Sequence, residues 1–370
     1  MNKALSILAL GAAALAFTAC GGSGSKASSE NDTVSTDTVP QFAKFDVRDL
    51  CLIYQGGAHR IDWNEEQFAP YVTHQFQGDT AKHWLFDGFL FLEFKDGKGR
   101  QYSPGYDKLS ARRGEWEWYL DRLFERGKSL DALDKTIESA KAELGDPGFR
   151  HKVVLTILVP IDGQTDWGEV DGKALDFNKD EDKVIATNWF VDQLIDRFNA
   201  QGYKNLDLDG FYWVAEGGTE SNLPPFVAPY VHEKGYKFVW IPYWNSPGAA
   251  DWKEAGFDIA YQQPNHFFNT DIPDSRLEEC VAFAVDNDMA VEFEFDGRIL
   301  SDPENFLPRM HAYIDAYEKG GAFDKSAIAY YEGGHTFYDV VKDPQPGARE
   351  AVDRLARHII ARQSNPDLTK

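Results

Sequence analysis

The sequence predicts a single (β/α)8 barrel, the TIM-barrel fold, that follows an export signal and a flexible tether. Between residues 45 and 363, eight short apolar segments alternate with eight helical patterns. This alternation predicts a parallel sheet, and eight repeats are the number that closes a barrel. No change in composition divides the range. The first apolar segment lacks a glycine-rich dinucleotide loop after it, so an open doubly wound sheet is the less favoured alternative.

The predicted strands are rich in Val, Ile, Leu, Phe and Tyr. Gly, Pro, Asp or Asn stand at or soon after most of their ends, as is typical of buried parallel strands. The strands are predicted at residues 50–54, 88–94, 152–160, 205–213, 236–244, 257–263, 289–296 and 326–334.

Helices are predicted between these strands, because apolar residues recur at spacings of three and four. Gly202 is expected to end one of them, and Asp302 before Pro303 is expected to begin another. The connections after the fourth and fifth strands, "PPFVAPYVHEKG" and "SPGAADWKEAG", are short. The longer helical patterns cover residues 64–74, 115–144, 183–202, 274–287, 302–321 and 347–363.

Residues 1–19 have the pattern of a bacterial export signal, with a positive Lys3 followed by an apolar stretch too short to span a membrane. The "FTAC" ending at residues 17–20 resembles a lipobox. That resemblance implies that Cys20 becomes the lipid-modified N-terminus, and an ordinary cleaved signal peptide is the alternative. We therefore expect a membrane-anchored bacterial lipoprotein, either periplasmic or at the cell surface.

Residues 20–44 are rich in Gly, Ser, Thr and Asp, a composition that cannot bury a core. We predict that they form a disordered tether between the lipid and the barrel at residues 45–363. Residues 364–370 are a C-terminal tail. The two remaining cysteines, Cys51 and Cys280, are predicted to be buried free thiols rather than a disulfide.

The composition narrows the function. The formal net charge is −22 over 370 residues, which argues against nucleic acid as a partner because its phosphates would be repelled. Aromatic residues make up 14% of the chain, more than a core alone needs, and the surplus suits apolar ligand faces such as those of sugars. The nine histidines show no HxH or HExxH spacing. We predict no metal, no cofactor and a monomer.

In (β/α)8 barrels the chemistry lies at the C-terminal ends of the strands. Carboxylates, amides and aromatic rings gather there in this sequence, and this mixture suits a polyhydroxylated ligand such as a glycan. The predicted substrate contacts are Tyr54, Gln55, His59, Asp87, Tyr212, Trp213, Tyr243, Trp244, Gln263, Asn265, Asp296, Tyr331 and Glu332.

The seventh strand, "VEFEFD" at residues 291–296, places Glu292, Glu294 and Asp296 on one face and apolar residues on the other. Because the outer face of a barrel strand packs against helices, the three acids should point inward. We expect Glu292 to be paired with an arginine or lysine deeper in the barrel. Glu294 is then the acid nearest the barrel mouth on the rigid strand.

The fourth strand and its end read "LDLDGFYWVAE", residues 206–216. We expect Leu206 and Leu208 to face the helices, Asp207 to be paired, and Asp209 to approach the pocket. The two aspartates are similar to the motif of chitinase-like barrels, in which a catalytic glutamate follows two residues later. Phe211 occupies that position here, so that mechanism does not apply.

Two carboxylates flanking the scissile bond are needed for most glycoside hydrolysis. The acids at the ends of the fourth and seventh strands resemble those of the large clan of retaining (β/α)8 glycosidases. The resemblance implies that Glu216 is the acid/base and Glu294 the nucleophile. That clan usually has Asn directly before its first glutamate, whereas Ala215 stands here, so Asp209 is kept as the alternative acid.

The span from about 45 to 363 is similar to domain-of-unknown-function family 4855, a bacterial family of exported (β/α)8 proteins. The motifs that carry the resemblance are "DGFYW" (209–213), "IPYW" (241–244), "YQQPNHFF" (261–268) and "EFEFDGR" (292–298). It implies a fold like that of glycoside hydrolases and names no substrate.

The leading functional hypothesis is a surface-tethered, retaining glycoside hydrolase. The first alternative is a glycan-binding lipoprotein whose barrel has lost its chemistry, since fold alone does not fix activity. The second alternative is a metal-dependent hydrolase that uses Asp209, Glu294 and either His59 or His266.

Overall fold

A computed structural model describes residues 41–218 and 221–368. The predicted export signal, Cys20 and residues 20–40 of the predicted tether lie outside these residues. Eight parallel strands form a closed barrel in which each strand pairs with the next along the chain and the last pairs with the first. These strands are β1 (Asp49–Tyr54), β2 (Gly88–Leu92), β3 (His151–Ile157), β4 (Leu206–Trp213), β5 (Lys237–Trp240), β6 (Ile259–Gln262), β7 (Ala290–Glu294) and β8 (Ile328–Tyr331). The predicted (β/α)8 barrel is confirmed.

Helices surround the barrel. They are α1 (Glu65–Val72), α2 (Arg113–Leu123), α3 (Ser129–Leu144), α4 (Asp180–Gln201), α5 (Pro224–Glu233), α6 (Ser275–Asp286), α7 (Arg298–Ser301), α8 (Pro303–Lys319), α9 (Ala322–Lys325), α10 (Thr336–Lys342) and α11 (Pro346–Arg362). Short two-stranded pairs lie in the connections at Thr73–Gln75 with Lys82–Trp84, Arg100–Gln101 with Leu109–Ser110, and Glu169–Val170 with Lys173–Ala174.

Two helical predictions need correction. The continuous pattern at 115–144 is divided into α2 and α3, because Gly127 adopts a positive φ of 82° between them. The fifth connection contains only the 3-10 turn Ala249–Asp251 instead of a helix. Gly248 directly before that turn has a φ of 78°, a conformation that interrupts a regular helix.

The core lies in two layers, one inside the barrel and one between the strands and the helices. On β7, Phe293 points outward and its ring lies 5.1 Å from that of Tyr313 and 5.7 Å from that of Tyr317, both on α8. Burying a side chain of this size stabilises the fold by about 1.5–3 kcal/mol. Cys51 and Cys280 are both buried and unbonded to each other, as predicted.

Strand β4 contains a β-bulge. Its pairing with β3 matches Leu208 to Val153 and then Gly210 to Val154, so that Asp209 is the extra residue. A bulge reverses the alternation of faces beyond it. Above the bulge Gly210 and Tyr212 therefore point into the barrel. Gly210 is required at this point because a Cβ atom there would lie 2.4 Å from the Lys237 carbonyl oxygen.

The N-terminal end of the barrel is held by buried ion pairs. Arg362 of α11 lies 2.7 Å from Asp49, which also accepts a hydrogen bond of 2.7 Å from the Tyr330 hydroxyl. The same guanidinium donates to backbone carbonyls of the chain segments around it, at Arg48 and Ser326. This network connects the last long helix to the first strand.

Within the described part of the chain, no helix is long and apolar enough to cross a membrane.

Candidate active site

A cavity of about 550 Å³ opens at the C-terminal end of the barrel. This is the end at which (β/α)8 enzymes carry their active sites. Eight of the residues predicted from the sequence line it: Tyr54, His59, Tyr212, Glu216, Gln263, Asn265, Glu294 and Tyr331.

Glu294 is fully buried at the end of β7 and is surrounded by neutral hydrogen-bond donors. The Tyr313 hydroxyl donates to its Oε2 atom, and the backbone amides of Asn265 and His266 donate at 3.1 and 3.2 Å. No Arg, Lys or His of the described residues forms an ion pair with it. Burial raises the pKa of Glu294, and these donors oppose part of the increase.

The loop after β6 is shaped to present these amides. Asn265 has a φ of 47°, the left-handed region that Asn tolerates better than most residues. Its backbone amide and that of His266 consequently both point at the Glu294 carboxylate. Arg309 of α8 holds the loop from below by donating to the carbonyls of His266, Asn269 and Ile272.

Glu216 lies just beyond the end of β4 and is linked to Glu294 through two amide side chains. Gln263 Nε2 donates to Glu216 Oε1 at 3.1 Å, and Tyr106 donates its hydroxyl to Oε2 at 3.3 Å. Asn265 Nδ2 in turn donates to Gln263 Oε1 at 2.8 Å and lies 3.4 Å from Glu294 Oε1. This chain of hydrogen bonds fixes the two carboxylates relative to each other across the cavity.

Glu292 lies one inward position below Glu294 on β7 and also lines the cavity. The predicted pairing with an arginine or lysine is wrong: within residues 41–218 and 221–368, no side chain or backbone group forms a hydrogen bond or ion pair with its carboxylate. The inward neighbour on β8 is Ala329, and the buried Arg362 lies at the opposite end of the barrel. Burial raises the pKa of Glu292 well above its ordinary value, and the negative charges of Glu294 and Glu216 add to this.

The opposite wall of the cavity is basic. Arg60 forms two hydrogen bonds with the buried Glu93, at 2.7 and 3.2 Å, and its guanidinium lies over the Tyr54 ring at 4.5 Å. His59 and Lys95 line the same wall. Desolvation lowers the pKa of His59, while Glu93 at 3.9 Å opposes the decrease. The cavity therefore has an acidic side on β4 and β7 and a basic side near β1 and β2.

Two predicted site residues lie at the wrong end of the barrel. Asp87 precedes β2, so it lies at the N-terminal end, where it pairs with Arg48 at 2.8 Å. Asp209, the alternative acid, lies 3.2 Å from Lys152, the second residue of β3. The bulge leaves Asp209 in the lower part of β4. Without the bulge, the strand would alternate regularly and Phe211 and Trp213 would face inward above Asp209.

Other predicted contacts lie outside the cavity. Trp213 points outward because of the same bulge, and its ring lies 6.2 Å from that of Phe238. Glu332 is buried behind β8, where it accepts hydrogen bonds from the Tyr71 hydroxyl and the Phe337 amide. Burial raises its pKa to about 8. Gln55 donates to the Arg122 carbonyl under α2.

The remaining predicted contacts lie on the rim without lining the cavity. The Trp244 ring covers α6, 6.1 Å from the Phe283 ring, and the neighbouring Tyr243 uses its carbonyl to hold Gln262. Asp296 forms an ion pair with Arg298 at 2.7 Å. The prediction that these three residues face the ligand is therefore not supported by their positions.

Sequence reasoning missed Tyr313. A tyrosine on the buried face of a helix is normally predicted to be a core residue. The hydroxyl of Tyr313 binds a residue on a strand, so the spacing of residues along the helix does not predict the contact. The signal that was available is the pair Tyr313 and Tyr317, one turn apart on α8, which brings two hydroxyls into an otherwise apolar stripe. The Tyr317 hydroxyl donates a hydrogen bond to the Glu292 backbone carbonyl.

Among the described residues, no group of three or more His, Cys, Asp or Glu side chains is arranged to hold a metal ion.

Comparison with known proteins gives a family and distant structural likenesses. No curated protein matches the chain. A mutant of the tryptophan synthase alpha-subunit from the hyperthermophile Pyrococcus furiosus is 10% identical, with a TM-score of 0.39 over 86% of this chain and 100% of that one. The carboxyl transferase domain of Rhizobium etli pyruvate carboxylase is 9% identical, with a TM-score of 0.37 over 85% of this chain and 47% of that one. The model of the domain of unknown function DUF4855 matches residues 49–357. The chain therefore belongs to the DUF4855 family.

Proposed function

We propose that this protein is a retaining glycoside hydrolase in which Glu294 is the nucleophile and Glu216 the acid/base. The observation that carries the proposal is the pair of glutamates at the ends of β7 and β4, joined across one cavity through Gln263 and Asn265. Glycoside hydrolysis needs two carboxyl groups on either side of the scissile bond. The two amides supply a rigid support for such a pair.

In the proposed reaction, Glu294 attacks the anomeric carbon while Glu216 gives its proton to the leaving glycosidic oxygen. The bond from the anomeric carbon to that oxygen breaks, and a glycosyl ester on Glu294 forms. Water then attacks the anomeric carbon, Glu216 takes the proton, and Glu294 is released as a carboxylate. Tyr313 and the two backbone amides orient Glu294 and favour its ionised form.

Aromatic side chains of the cavity suit sugar rings. Tyr54, Tyr212 and Tyr331 line its walls, and Phe268 stands at the rim with 37% of its surface exposed. The Phe268 ring packs edge-on against Tyr331 at 5.2 Å, which holds it in place. Apolar ring faces of this kind pack against the C–H faces of sugars. A volume of about 550 Å³ is within the usual range for small-ligand sites.

The test is hydrolysis of a panel of aryl glycosides and oligosaccharides of different configuration by the wild type, Glu294→Gln and Glu216→Gln. We expect Glu294→Gln to lower turnover by roughly 10⁴-fold or more. Glu216→Gln should lower turnover by about 10²–10⁴-fold, and less on dinitrophenyl glycosides, whose leaving groups need little protonation. The matched control is Glu350→Gln, on the exposed face of α11.

Two results would contradict this function. Wild-type protein that binds a glycan by calorimetry but releases no product after long incubation would instead be a glycan-binding lipoprotein. Near-full turnover in both Gln variants would show that hydrolysis does not use this pair.

Adding azide to a Glu216→Gln reaction should yield a glycosyl azide with retained configuration. This product distinguishes an acid/base role of Glu216 from a purely structural one.

We further propose that a lipid on Cys20 anchors the protein to a bacterial membrane, on the basis of the lipobox resemblance at residues 17–20. Cells fed an alkyne-labelled fatty acid should incorporate it into the wild type and not into Cys20→Ser. The variant should also move from the membrane fraction to the soluble fraction. Membrane retention of unlabelled Cys20→Ser would contradict the anchor.

A further inference from the structure

We propose that the sugar bound next to Glu294 carries a protonated amino group, and that Glu292 binds this group; the substrate class is therefore an amino-sugar glycan. The inference rests on the proposed function and adds the substrate class to it. It starts from Glu292, which is 2% exposed and lines the cavity.

Glu292 differs from the other buried acids of this protein. Across residues 41–218 and 221–368, each of the other ten buried Asp and Glu side chains has a hydrogen-bond or ion-pair partner within the chain. Leaving a buried carboxyl without a partner costs free energy, and more if the carboxyl is charged. An acid left in this state inside a cavity points to a ligand that supplies the missing partner.

The charges around Glu292 favour a cation over a neutral hydroxyl. Glu216 and Glu294 line the same cavity as Glu292. The nearest guanidinium on the facing wall, that of Arg60, is already bound by Glu93 through two hydrogen bonds. A hydroxyl would supply a hydrogen bond alone, whereas an ammonium group would also reduce the repulsion among the acids.

The position of Glu292 on the strand places it beside the sugar whose anomeric carbon Glu294 contacts in the proposed reaction. Glu292 and Glu294 are successive inward residues of β7, and such residues are about 6.5–7 Å apart along a strand. Glu294 contacts the anomeric carbon in the proposed reaction, so Glu292 faces the same ring. The amino group is tested at C2, the carbon next to the anomeric centre.

Binding of the amine should release a proton. The groups that act on the charge of Glu292 are Glu294 and Glu216, with the Tyr54 and Tyr331 hydroxyls nearby. The cationic groups of the same cavity are Arg60, which is bound by Glu93, together with His59 and Lys95. Burial and the two glutamates raise the pKa of Glu292, which favours the protonated form of its carboxyl in the empty cavity. When the ligand ammonium takes the place of that proton, the carboxyl becomes a carboxylate and one proton leaves to solvent.

The experiment is calorimetry with methyl glycosides of 2-amino-2-deoxy sugars in the gluco, galacto and manno configurations. Each is compared with its N-acetyl and its 2-hydroxy counterpart, in two buffers of different ionisation enthalpy. We expect at least one amine to bind tenfold or more tightly than both neutral counterparts and to release protons on binding. Glu292→Gln should remove both the preference and the proton release, whereas Glu350→Gln should retain them.

The outcomes separate this inference from the proposed function. If neutral glycosides are hydrolysed and no amine is preferred, the amino-sugar inference is overturned and the hydrolase proposal stands. If an amine binds in a Glu292-dependent way and no glycoside of any class is cleaved, the ligand class stands and the hydrolase proposal fails. Glu292→Asp keeps the charge with a shorter reach and should restore part of the preference, which excludes a loss caused only by misfolding.

Discussion

Three buried acids at the N-terminal end of this barrel have cationic partners, whereas the two buried acids of β7 at the C-terminal end have none among the described residues. At the N-terminal end, Asp49, Asp87 and Asp209 lie 2.7, 2.8 and 3.2 Å from Arg362, Arg48 and Lys152. At the C-terminal end, Glu294 is held by uncharged donors, and Glu292 has no partner among the described residues. The acids of the first end are paired with cations of the chain, and the two glutamates of β7 at the second end are not.

The pKa values express the same difference. Burial raises the pKa of Asp49 to about 6, while Arg362 and the Tyr330 hydroxyl oppose the increase, so Asp49 is ionised at neutral pH. The pKa of Glu292 lies well above its ordinary value with no cation to lower it. Perturbed groups of this second kind are typical of functional sites. The comparison therefore assigns stability to one end of the barrel and chemistry to the other.

The largest effect on stability is expected from Arg362→Met at the N-terminal end. The substitution leaves Asp49 buried without its cation and also removes hydrogen bonds to the Arg48 and Ser326 carbonyls. Breaking a buried pair from one side lowers the free energy of unfolding by about 3–5 kcal/mol. The free energy of unfolding of the variant and the wild type is measured by urea unfolding, monitored by tryptophan fluorescence.

The control for that variant is Arg354→Met, because Arg354 forms ion pairs with Asp315 and Glu318 on the surface. Exposed pairs contribute about 0–1 kcal/mol, so this variant should unfold almost like the wild type. Equal effects of the two substitutions would show that the buried network at the N-terminal end is not what stabilises the barrel.

The next largest effect is expected on the pH dependence of the free energy of unfolding in Glu292→Gln. A carboxyl whose pKa is raised in the folded state retains a proton that the unfolded chain has lost, so the free energy of unfolding falls as pH rises above about 4.5. Glu292→Gln removes this contribution. We expect the variant to gain stability relative to the wild type as pH rises from 5 to 8. If the difference in free energy of unfolding between Glu292→Gln and the wild type stays constant from pH 5 to 8, the claim that Glu292 is a buried acid with a raised pKa is contradicted.

A smaller effect is expected from Tyr313→Phe, which removes one neutral donor from Glu294. The variant should lose about 1 kcal/mol of stability. Because the hydroxyl favours the carboxylate form, its loss should raise the pKa of Glu294 further and move the acidic limb of kcat/KM to higher pH.

Tyr317→Phe is the matched control, since Tyr317 lies one turn away on α8 and donates its hydroxyl to a backbone carbonyl. It should lose similar stability while leaving the acidic limb of kcat/KM in place. A shift of the limb in both variants would indicate a general disturbance of α8 rather than a specific contact with Glu294.

The smallest effect on activity is expected from Asp209→Asn. The aspartate lies beside Lys152 at the N-terminal end of the barrel, so turnover should remain within about twofold of wild type. Stability should change little, because burial raises the pKa of Asp209 and this desolvation offsets the pair with Lys152. A loss of turnover comparable to that of Glu216→Gln would restore Asp209 as the acid and break the division between the two ends.

The sequence was sufficient for the barrel and for the inward direction of Glu292 and Glu294. Both depend on repeating patterns, the alternation of strands and helices and the period of two on β7. It was also sufficient to bring Glu216 to the same cavity as Glu294. These are the features in which local pattern and tertiary packing agree.

Failures came from departures that no local pattern reveals. The bulge on β4 turned Trp213 outward and left Asp209 low in the barrel. The expected cation for Glu292 is absent from the described residues around it, which only the positions of side chains on neighbouring strands can show. The position of Asp87 was a failure of a different kind, since a residue before a parallel strand belongs at the N-terminal end and the sequence already contained that information.

The most direct test of the proposed pair is covalent capture of the nucleophile. The protein is incubated with 5-fluoro glycosyl fluorides of several configurations, each with an amino or a hydroxyl group at C2, and its intact mass and peptides are then measured. We expect a mass increase of one fluoroglycosyl group on the peptide that contains Glu294, with no increase in Glu294→Gln. Hydrolysis with inverted configuration, or a label on a residue other than Glu294, would contradict the account.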